Sequence, residues 1–170
     1  MVCPACGTEN IDGTDRCDNC LAPFRDLDVP RGEAADGLAR SVMQDNLGRL
    51  DLESPIMVAP ETPALDVAKL MRGENSGCAL VMDGVSLAGI FTEHDMLRKM
   101  TGVNACPPST AVQVLMSPNP ETLQEQDSVA TALNKMSIGR YRHIPVRKRD
   151  GSYTVASIKS VLKYLAQEDW

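Results

Sequence analysis

Aromatic residues are scarce in this chain of 170 residues, where Phe, Trp and Tyr together make up only 4%. The hydrophobic content of 43% still suits a globular core, so that core is predicted to be aliphatic, with nine Met contributing. Long apolar runs are missing as well, and none approaches the roughly 18–20 residues that a membrane-spanning helix needs. The N-terminus carries a cysteine pair at once and shows neither the basic region nor the apolar segment of a signal peptide. We therefore expect a cytoplasmic protein without a membrane partner.

Basic residues are outnumbered, with 17 Lys and Arg against 23 Asp and Glu, which gives a formal net charge of −6. Such a balance disfavours general binding to nucleic acid or to an anionic membrane, although a local basic patch can still bind phosphate. Recognisable catalytic sets are also missing: no Ser-His-Asp, Cys-His or paired-carboxylate arrangement is visible, and the chain holds only two His. The sequence therefore predicts no catalytic residues and a protein that is not an enzyme.

Four of the six cysteines lie within residues 1–28, as the pairs Cys3 and Cys6, and Cys17 and Cys20. Two C-x2-C pairs ten residues apart fit one tetrahedral zinc ion, because each pair forms a tight turn that offers two thiolates to one side. A disulfide and a redox-active pair are disfavoured, the first by a reducing cytosol and the second by the lack of a βαβ pattern. Zn2+ is the predicted metal, and iron is the alternative. The first pair resembles the knuckles of zinc ribbons and rubredoxins.

The cysteine-rich segment is acidic, with six Asp or Glu against two Arg in residues 1–28. Phosphate neutralisation needs Lys and Arg, so a structural role or a protein contact is favoured over nucleic-acid binding. Residues 29–50 are predicted to be a linker followed by a short amphipathic helix, since Leu38, Val42, Leu47 and Leu50 recur near helical spacing. That helix is expected to pack against the lobe that follows it, with a dimer contact as the alternative.

The remaining chain contains a tandem duplication with an ungapped offset of 65 residues, which relates Met71 to Met136 and Val81 to Val146. Each copy reads as strand, helix, strand, strand, helix, with copy 1 at residues 51–104 and copy 2 at residues 105–170. Thr62 and Asp127 are predicted to cap the first helix of each copy.

The end of the first copy carries the residues best suited to a ligand. Thr92 follows an apolar strand and opens a helix, and Asp95 lies three positions later. A helix N-terminus favours phosphate or sugar oxygens, and a carboxylate accepts two hydrogen bonds from the vicinal diol of a ribose. The alternative is that Thr92 is only a helix cap and that Asp95 only complements the helix dipole.

Three stretches resemble the CBS family: Gly-Ile-x-Thr-x-x-Asp from Gly89 to Asp95, VLMSPNPETL from Val114, and RYRHIPV from Arg140. The resemblance covers about residues 38–170 and implies a tandem CBS-domain pair, or Bateman module. Its fold class is α/β (α+β) with pseudo-twofold symmetry, here preceded by the small zinc ribbon.

The resemblance also implies a nucleotide site between the two copies, which mixes residues of both. Asp95 would hold ribose, Tyr141 would lie beside adenine, and Arg142 and His143 would face phosphate. The full implied set is Ile90, Thr92, Asp95, Ser117, Pro118, Asn119, Tyr141, Arg142 and His143. The second, pseudo-equivalent site has Ser157 and Ser160 where the first has Thr92 and Asp95, so it is expected to be empty, weak or differently occupied.

The leading hypothesis is a non-catalytic regulatory module. It would bind AMP, ADP, ATP or S-adenosylmethionine between the copies, form a homodimer and signal to a protein target through the ribbon or its dimer face. The alternative is a zinc-ribbon adaptor that binds protein or nucleic acid and uses the CBS pair as a dimerisation scaffold.

Overall fold

The computed structural model describes residues 8–11, 16–20, 37–103 and 105–167. The predicted ligands Cys3 and Cys6 lie outside the described residues, as does part of the predicted linker. The helices are α1 (Gly37–Gln44), α2 (Ala64–Gly73), α3 (Glu93–Lys99), α4 (Val112–Leu115), α5 (Val129–Gly139) and α6 (Ile158–Gln167), with a 3-10 turn at Leu47–Arg49. The strands are β1 (Met57–Val58), β2 (Cys78–Asp83), β3 (Ser86–Thr92), β4 (Ser117–Pro118), β5 (Leu123–Gln124), β6 (His143–Arg147) and β7 (Tyr153–Ser157). None of the helices among these residues is long and apolar enough to cross a bilayer.

The strands form two sheets that correspond to the two predicted copies. The first has the order β1-β2-β3-β4, with β1 parallel to β2 and the other pairs antiparallel. The second has the order β5-β6-β7, and Glu53 adds a bridge to Val155 at the edge of β7. Strand β4 lies beside β3 as Glu53 lies beside β7, so both sheets follow one plan. The predicted mixed α/β fold is confirmed.

The two faces of each sheet contribute to different cores, because successive side chains along a strand point to opposite faces. In the first copy, Ala79, Val81 and Phe91 point into a core shared with the helices. The intervening Leu80 and Ile90 point the other way, into a cluster that also contains Val155 of the second copy. The two sheets therefore pack against each other through the faces that their helices leave uncovered.

The segment that leads into each copy crosses over to the other copy. The backbone N–H of Leu47 donates to the carbonyl of Asp127 at 2.9 Å, and that of Val112 donates to the carbonyl of Thr62 at 2.8 Å. These two hydrogen bonds are related by the offset of 65 residues seen in the sequence. The duplication is thus also a symmetry of the hydrogen bonding between the copies.

The predicted amphipathic helix is shorter than expected and packs elsewhere. It ends at Gln44, and the chain continues through the 3-10 turn. Val42, Leu47 and Leu50 join the core of the second copy, where they meet Val129 and Ile144. The expectation that this segment packs against the lobe that follows it is therefore wrong, because the crossover carries it to the other copy.

Both predicted caps on the first helix of each copy are wrong. Helix α2 starts after Pro63 without a side-chain cap, and Asp127 accepts a hydrogen bond from the N–H of Gln124 instead. Ser128 takes the cap position of α5 and accepts from the N–H of Thr131 at 3.1 Å. The lead-in segments of the opposite copy supply backbone carbonyls to both helix starts, through Ala64 N–H to Thr110 and Val129 N–H to Asp45. These bonds satisfy N–H groups that otherwise need a side chain.

Candidate functional site

A cleft of about 300 Å³ lies between the C-terminal end of β3 in the first copy and the start of β6 in the second. Seven of the nine residues implied by the family resemblance line it: Ile90, Thr92, Asp95, Ser117, Tyr141, Arg142 and His143. Pro118 and Asn119 do not line it. Pro118 pairs with Gly89 in the sheet, and Asn119 takes a left-handed conformation (φ 47°) just beyond the strand.

One end of the cleft is built around the buried carboxylate of Asp95, which is 6% exposed. Thr92 caps helix α3 by accepting from the N–H of Asp95, and Asp95 Oδ2 in turn accepts from the backbone N–H and the hydroxyl of Thr92, at 3.1 and 2.7 Å. This reciprocal arrangement is a capping box. Asp95 Oδ1 accepts from Lys99 Nζ at 2.8 Å, and Lys99 also donates to the carbonyl of Leu115. Both functions considered for these residues, helix cap and cleft wall, are thus present together.

The ring of Tyr141 forms another part of the cleft wall. Its hydroxyl donates to Glu121 at 2.7 Å, and Glu121 also pairs with Lys135. Lys135 and Tyr141 hold the pKa of the Glu121 carboxyl below its usual range, while burial and Glu121 raise the pKa of Tyr141. The ring packs directly on Gly139, where a Cβ would lie 1.8 Å from Tyr141 Cε1. Only glycine at position 139 leaves room for the ring in this place.

His143 and Arg142 form the cationic wall. The His143 ring is half-buried and packs on Gly77, where a Cβ would lie 2.6 Å from Nε2. Burial lowers the pKa of His143 below the ordinary histidine value; the carboxylates of Glu53 and Glu93 oppose that shift, and Arg142 and Lys159 reinforce it. The Arg142 side chain is exposed. This wall therefore offers a guanidinium and a weakly basic imidazole to an anion.

Six further residues line the cleft beyond the implied set: Gly77, Glu93, His94, Pro120, Glu121 and Arg140. Glu93 and His94 lie inside the Thr92–Asp95 motif, and Glu121 lies inside the VLMSPNPETL stretch, so their positions next to motif residues were a usable signal. Gly77 also lines this cleft, directly under the His143 ring. Arg140 was recognised only as part of a basic cluster; it ends α5 in a left-handed conformation (φ 53°).

The second, pseudo-equivalent position repeats the capping geometry without a carboxylate from the helix. Ser157 Oγ accepts from the N–H of Ser160 at 3.2 Å, and Ser160 Oγ accepts from the N–H of Ser157 at 2.9 Å. Both side chains are buried, at 0% and 5% exposure. Cys78, on β2 of the first sheet, is also buried, and burial raises the pKa of its thiol to about 12. An undissociated thiol is a poor nucleophile.

The described part of the predicted metal segment is small. Cys17 is buried and Cys20 is exposed. The N–H of Asp18 donates to Asn10 Oδ1 at 2.8 Å, and Asn19 donates to Thr8 Oγ1 at 3.0 Å. These bonds hold the segment after the first cysteine pair against the second pair. Within residues 8–11, 16–20, 37–103 and 105–167, no cluster of three or more His, Cys, Asp or Glu is arranged to hold a metal ion.

Comparison with known proteins identifies the two copies. The family model described as CBS domain matches this chain twice, at residues 39–102 and 111–166. The CBS domain-containing protein CBSCBSPB3 of Arabidopsis thaliana is 28% identical over 131 residues, or 77% of this chain and 22% of that protein. The chain thus spans about a fifth of the length of the curated relatives that it matches first.

Solved structures share the fold. A CBS-domain containing protein from Agrobacterium tumefaciens is 27% identical with a TM-score of 0.60, over 66% of this chain and 90% of that one. A CBS domain protein from Pyrobaculum aerophilum, complexed with AMP, is 20% identical with a TM-score of 0.61, over 73% of this chain and 100% of that one.

Proposed function

This chain belongs to the CBS-domain family as a tandem pair, and from that membership we propose that it is a non-catalytic regulatory module that binds an adenosine-containing ligand. The candidates are AMP, ADP, ATP and S-adenosylmethionine. The observation that carries the proposal is the cleft itself, because it places the Asp95 carboxylate, the Tyr141 ring and the Arg142–His143 wall around one space. The AMP complex of a protein with the same fold supports it.

The chemistry of the cleft matches the parts of a nucleotide. A carboxylate accepts hydrogen bonds from a ribose diol, an aromatic ring packs on a purine, and guanidinium suits phosphate. Asp95 has about four lone-pair positions, and Thr92 and Lys99 already use three of them. A diol that donates two hydrogen bonds must therefore share or displace one of these donors. If that donor is Lys99, ligand binding also alters its hydrogen bond to the carbonyl of Leu115.

Regulation requires that the ligand prefer one arrangement of the module over another. The cleft takes its walls from both copies, so a ligand that contacts Asp95 and Arg142 together ties the first sheet to the second. We propose that this change is passed to a protein target in the cytoplasm, by a homodimer of the chain.

We further propose that Cys3, Cys6, Cys17 and Cys20 hold one structural Zn2+ ion, with iron as the alternative. Four thiolates suit tetrahedral zinc and leave no position open for substrate. The hydrogen bonds from Asp18 and Asn19 to Asn10 and Thr8 support the proposal, because they bring the two halves of the segment together. Metal content per chain, measured by mass spectrometry before and after Cys17→Ser, tests it. One zinc in the wild type and none in the variant is expected, and a wild type without metal contradicts it.

The nucleotide proposal is tested by calorimetric titration of the metal-loaded protein with AMP, ADP, ATP and S-adenosylmethionine, repeated on Asp95→Ala. The control is Asp66→Ala, which removes a 54% exposed carboxylate from the first turn of α2, away from the cleft. We expect saturable binding of one ligand per chain, lost in Asp95→Ala and kept in Asp66→Ala. Failure of all four ligands to bind the wild type contradicts the proposal and leaves the adaptor alternative.

A further inference from the structure

The pseudo-equivalent position around Ser157 and Ser160 (the second cleft) does contain a carboxylate, although its helix lacks one. In the first cleft the Thr92 hydroxyl donates to Asp95, three residues along the same helix. In the second, the Ser157 hydroxyl donates to Glu53 Oε1 at 2.5 Å, across 104 positions of sequence. The carboxylate that position 160 lacks is thus replaced by one from the lead-in segment of the opposite copy.

Glu53 is held firmly in this place by its backbone. Its N–H donates to the carbonyl of Val155 at 3.0 Å, and its own carbonyl accepts from the N–H of Val155 at 3.2 Å. The Thr154 hydroxyl adds a third hydrogen bond to the same carbonyl at 2.8 Å. These bonds fix the backbone of Glu53 beside β7 and so keep its carboxylate within reach of Ser157.

The offset of 65 residues shows how the two clefts differ. Glu53 corresponds to Pro118, which makes the same kind of pairing with Gly89 but has no polar side chain. Position 160 corresponds to Asp95. The differences at these two positions place the carboxylate on the helix in the first cleft and on the lead-in segment in the second.

This position has consequences for a nucleotide. Ser157 and Ser160 are buried and bond to each other, and Ser157 also donates to Glu53. The negative charge of Glu53 also acts on the pKa of His143, as do the charges of Glu93, Arg142 and Lys159. An anionic ligand entering the second cleft would meet this carboxylate, whereas Pro118, the corresponding residue, carries no charge and does not line the first cleft.

We propose that Glu53 closes the second cleft from within, so that the chain takes one nucleotide although its fold provides two pseudo-equivalent positions. The carboxylate accepts the hydrogen bond that the Ser157 hydroxyl would otherwise donate to a ligand, and its negative charge repels phosphate. The inference rests on the proposed nucleotide binding for its ligand but concerns the other cleft.

The test counts AMP sites by calorimetry in four proteins: wild type, Ser160→Asp, Glu53→Ala, and the double variant Glu53→Ala/Ser160→Asp. The double variant restores the first-cleft pattern of a helix carboxylate with no lead-in carboxylate. We expect it to bind one more AMP per chain than Ser160→Asp alone. Equal numbers in these two proteins overturn the proposal.

Thermal melting establishes which variants fold. This check is needed because Tyr164 corresponds to Lys99 and offers no ammonium partner to a new carboxylate at position 160. If the double variant does not fold, Glu53→Ala alone decides, with a second, weaker AMP site expected and an unchanged count contradicting the proposal. The proposed nucleotide function is judged separately, by whether the wild type binds AMP at all. A wild type without binding refutes that function, and the difference in count still decides the role of Glu53.

Discussion

At the scale of single residues, the shape of the cleft depends on two glycines that each lie directly under a ring. Gly139 lies under Tyr141 and Gly77 lies under His143, each at a distance that excludes a Cβ. Neither glycine has the positive φ that requires glycine for backbone reasons. Close approach of a ring is the reason for glycine at both positions.

Gly139→Ala is expected to weaken AMP binding about five-fold, because the new methyl group displaces the Tyr141 ring. An aromatic contact contributes about 1 kcal/mol, which corresponds to about that factor. Calorimetry gives the dissociation constant, and Gly73→Ala is the matched control, since Gly73 also ends a helix but has no atom within 4 Å of an added Cβ. Equal affinity in the two variants would contradict a role for the Tyr141 ring.

The depressed pKa of His143 makes stability depend on pH. The unfolded chain takes up a proton near the ordinary value of about 6.5, before folded His143 does, so stability is full above that pH and is lost as the pH falls through the lower, folded pKa. His143→Gln removes this loss. We expect the free energy of unfolding, measured with urea between pH 8 and pH 5, to fall more steeply for the wild type than for His143→Gln.

The control is His94→Gln, because His94 is exposed in the same cleft. Its pH profile is expected to follow the wild type. A His143→Gln profile that also follows the wild type would show that His143 titrates as it does in the unfolded chain.

At the scale of secondary-structure elements, α3 and α4 are joined by one side chain. Lys99 extends from the end of α3 to Asp95 and to the carbonyl of Leu115, the last residue of α4. The Asp95 side chain is 8% exposed and that of Lys99 is 35% exposed. This pair is therefore much less screened by water than an ordinary surface pair.

Lys99→Met is expected to lower the free energy of unfolding by about 1–3 kcal/mol, because Asp95 Oδ1 and the Leu115 carbonyl both lose the donor that Lys99 supplies. The control Lys69→Met removes an exposed pair with Asp66, at 61% and 54% exposure, which is expected to contribute about 0–1 kcal/mol. Urea denaturation measures both. Similar losses would mean that the Lys99 pair behaves as a surface pair.

At the scale of the whole molecule, the two copies are interlocked by exchange of their lead-in segments. Leu47 precedes the first copy but is fully buried in the core of the second. Val112 precedes the first helix of the second copy but is buried in the core of the first. Each copy is therefore incomplete without the chain that leads into the other.

Leu47→Ala is expected to cost about 2–5 kcal/mol, the range for a buried leucine, and to loosen the second copy first. Urea denaturation gives the loss, and native-state hydrogen exchange is expected to rise in α5 and β6 before α2 and β2. Val85→Ala is the control, since Val85 is 93% exposed at the turn of the first hairpin. Faster exchange confined to the first copy would contradict the crossover.

The sequence by itself determined the duplication, the α/β class, the order of elements and most of the residues around the cleft. The class and the order of elements follow from patterns within short stretches, such as alternation along β2, because local propensities and periodicity express such patterns directly. The cleft residues were implied by the family resemblance of short motifs, such as the one that holds Thr92 and Asp95. The same reasoning predicted helix caps at Thr62 and Asp127 and was wrong there, because carbonyls of distant segments satisfy the helix starts.

Only the tertiary structure decided the crossover of the lead-in segments, the bond from Lys99 to Leu115 and the contact of Glu53 with Ser157. Each joins residues far apart in the chain, 104 positions apart in the last case. No local pattern marks Glu53 as a neighbour of Ser157, since their contact depends on how the second sheet receives a strand from the opposite copy. The sequence already distinguishes the two clefts by Asp95 and Ser160, and packing across the copies adds the carboxylate of Glu53 to the second.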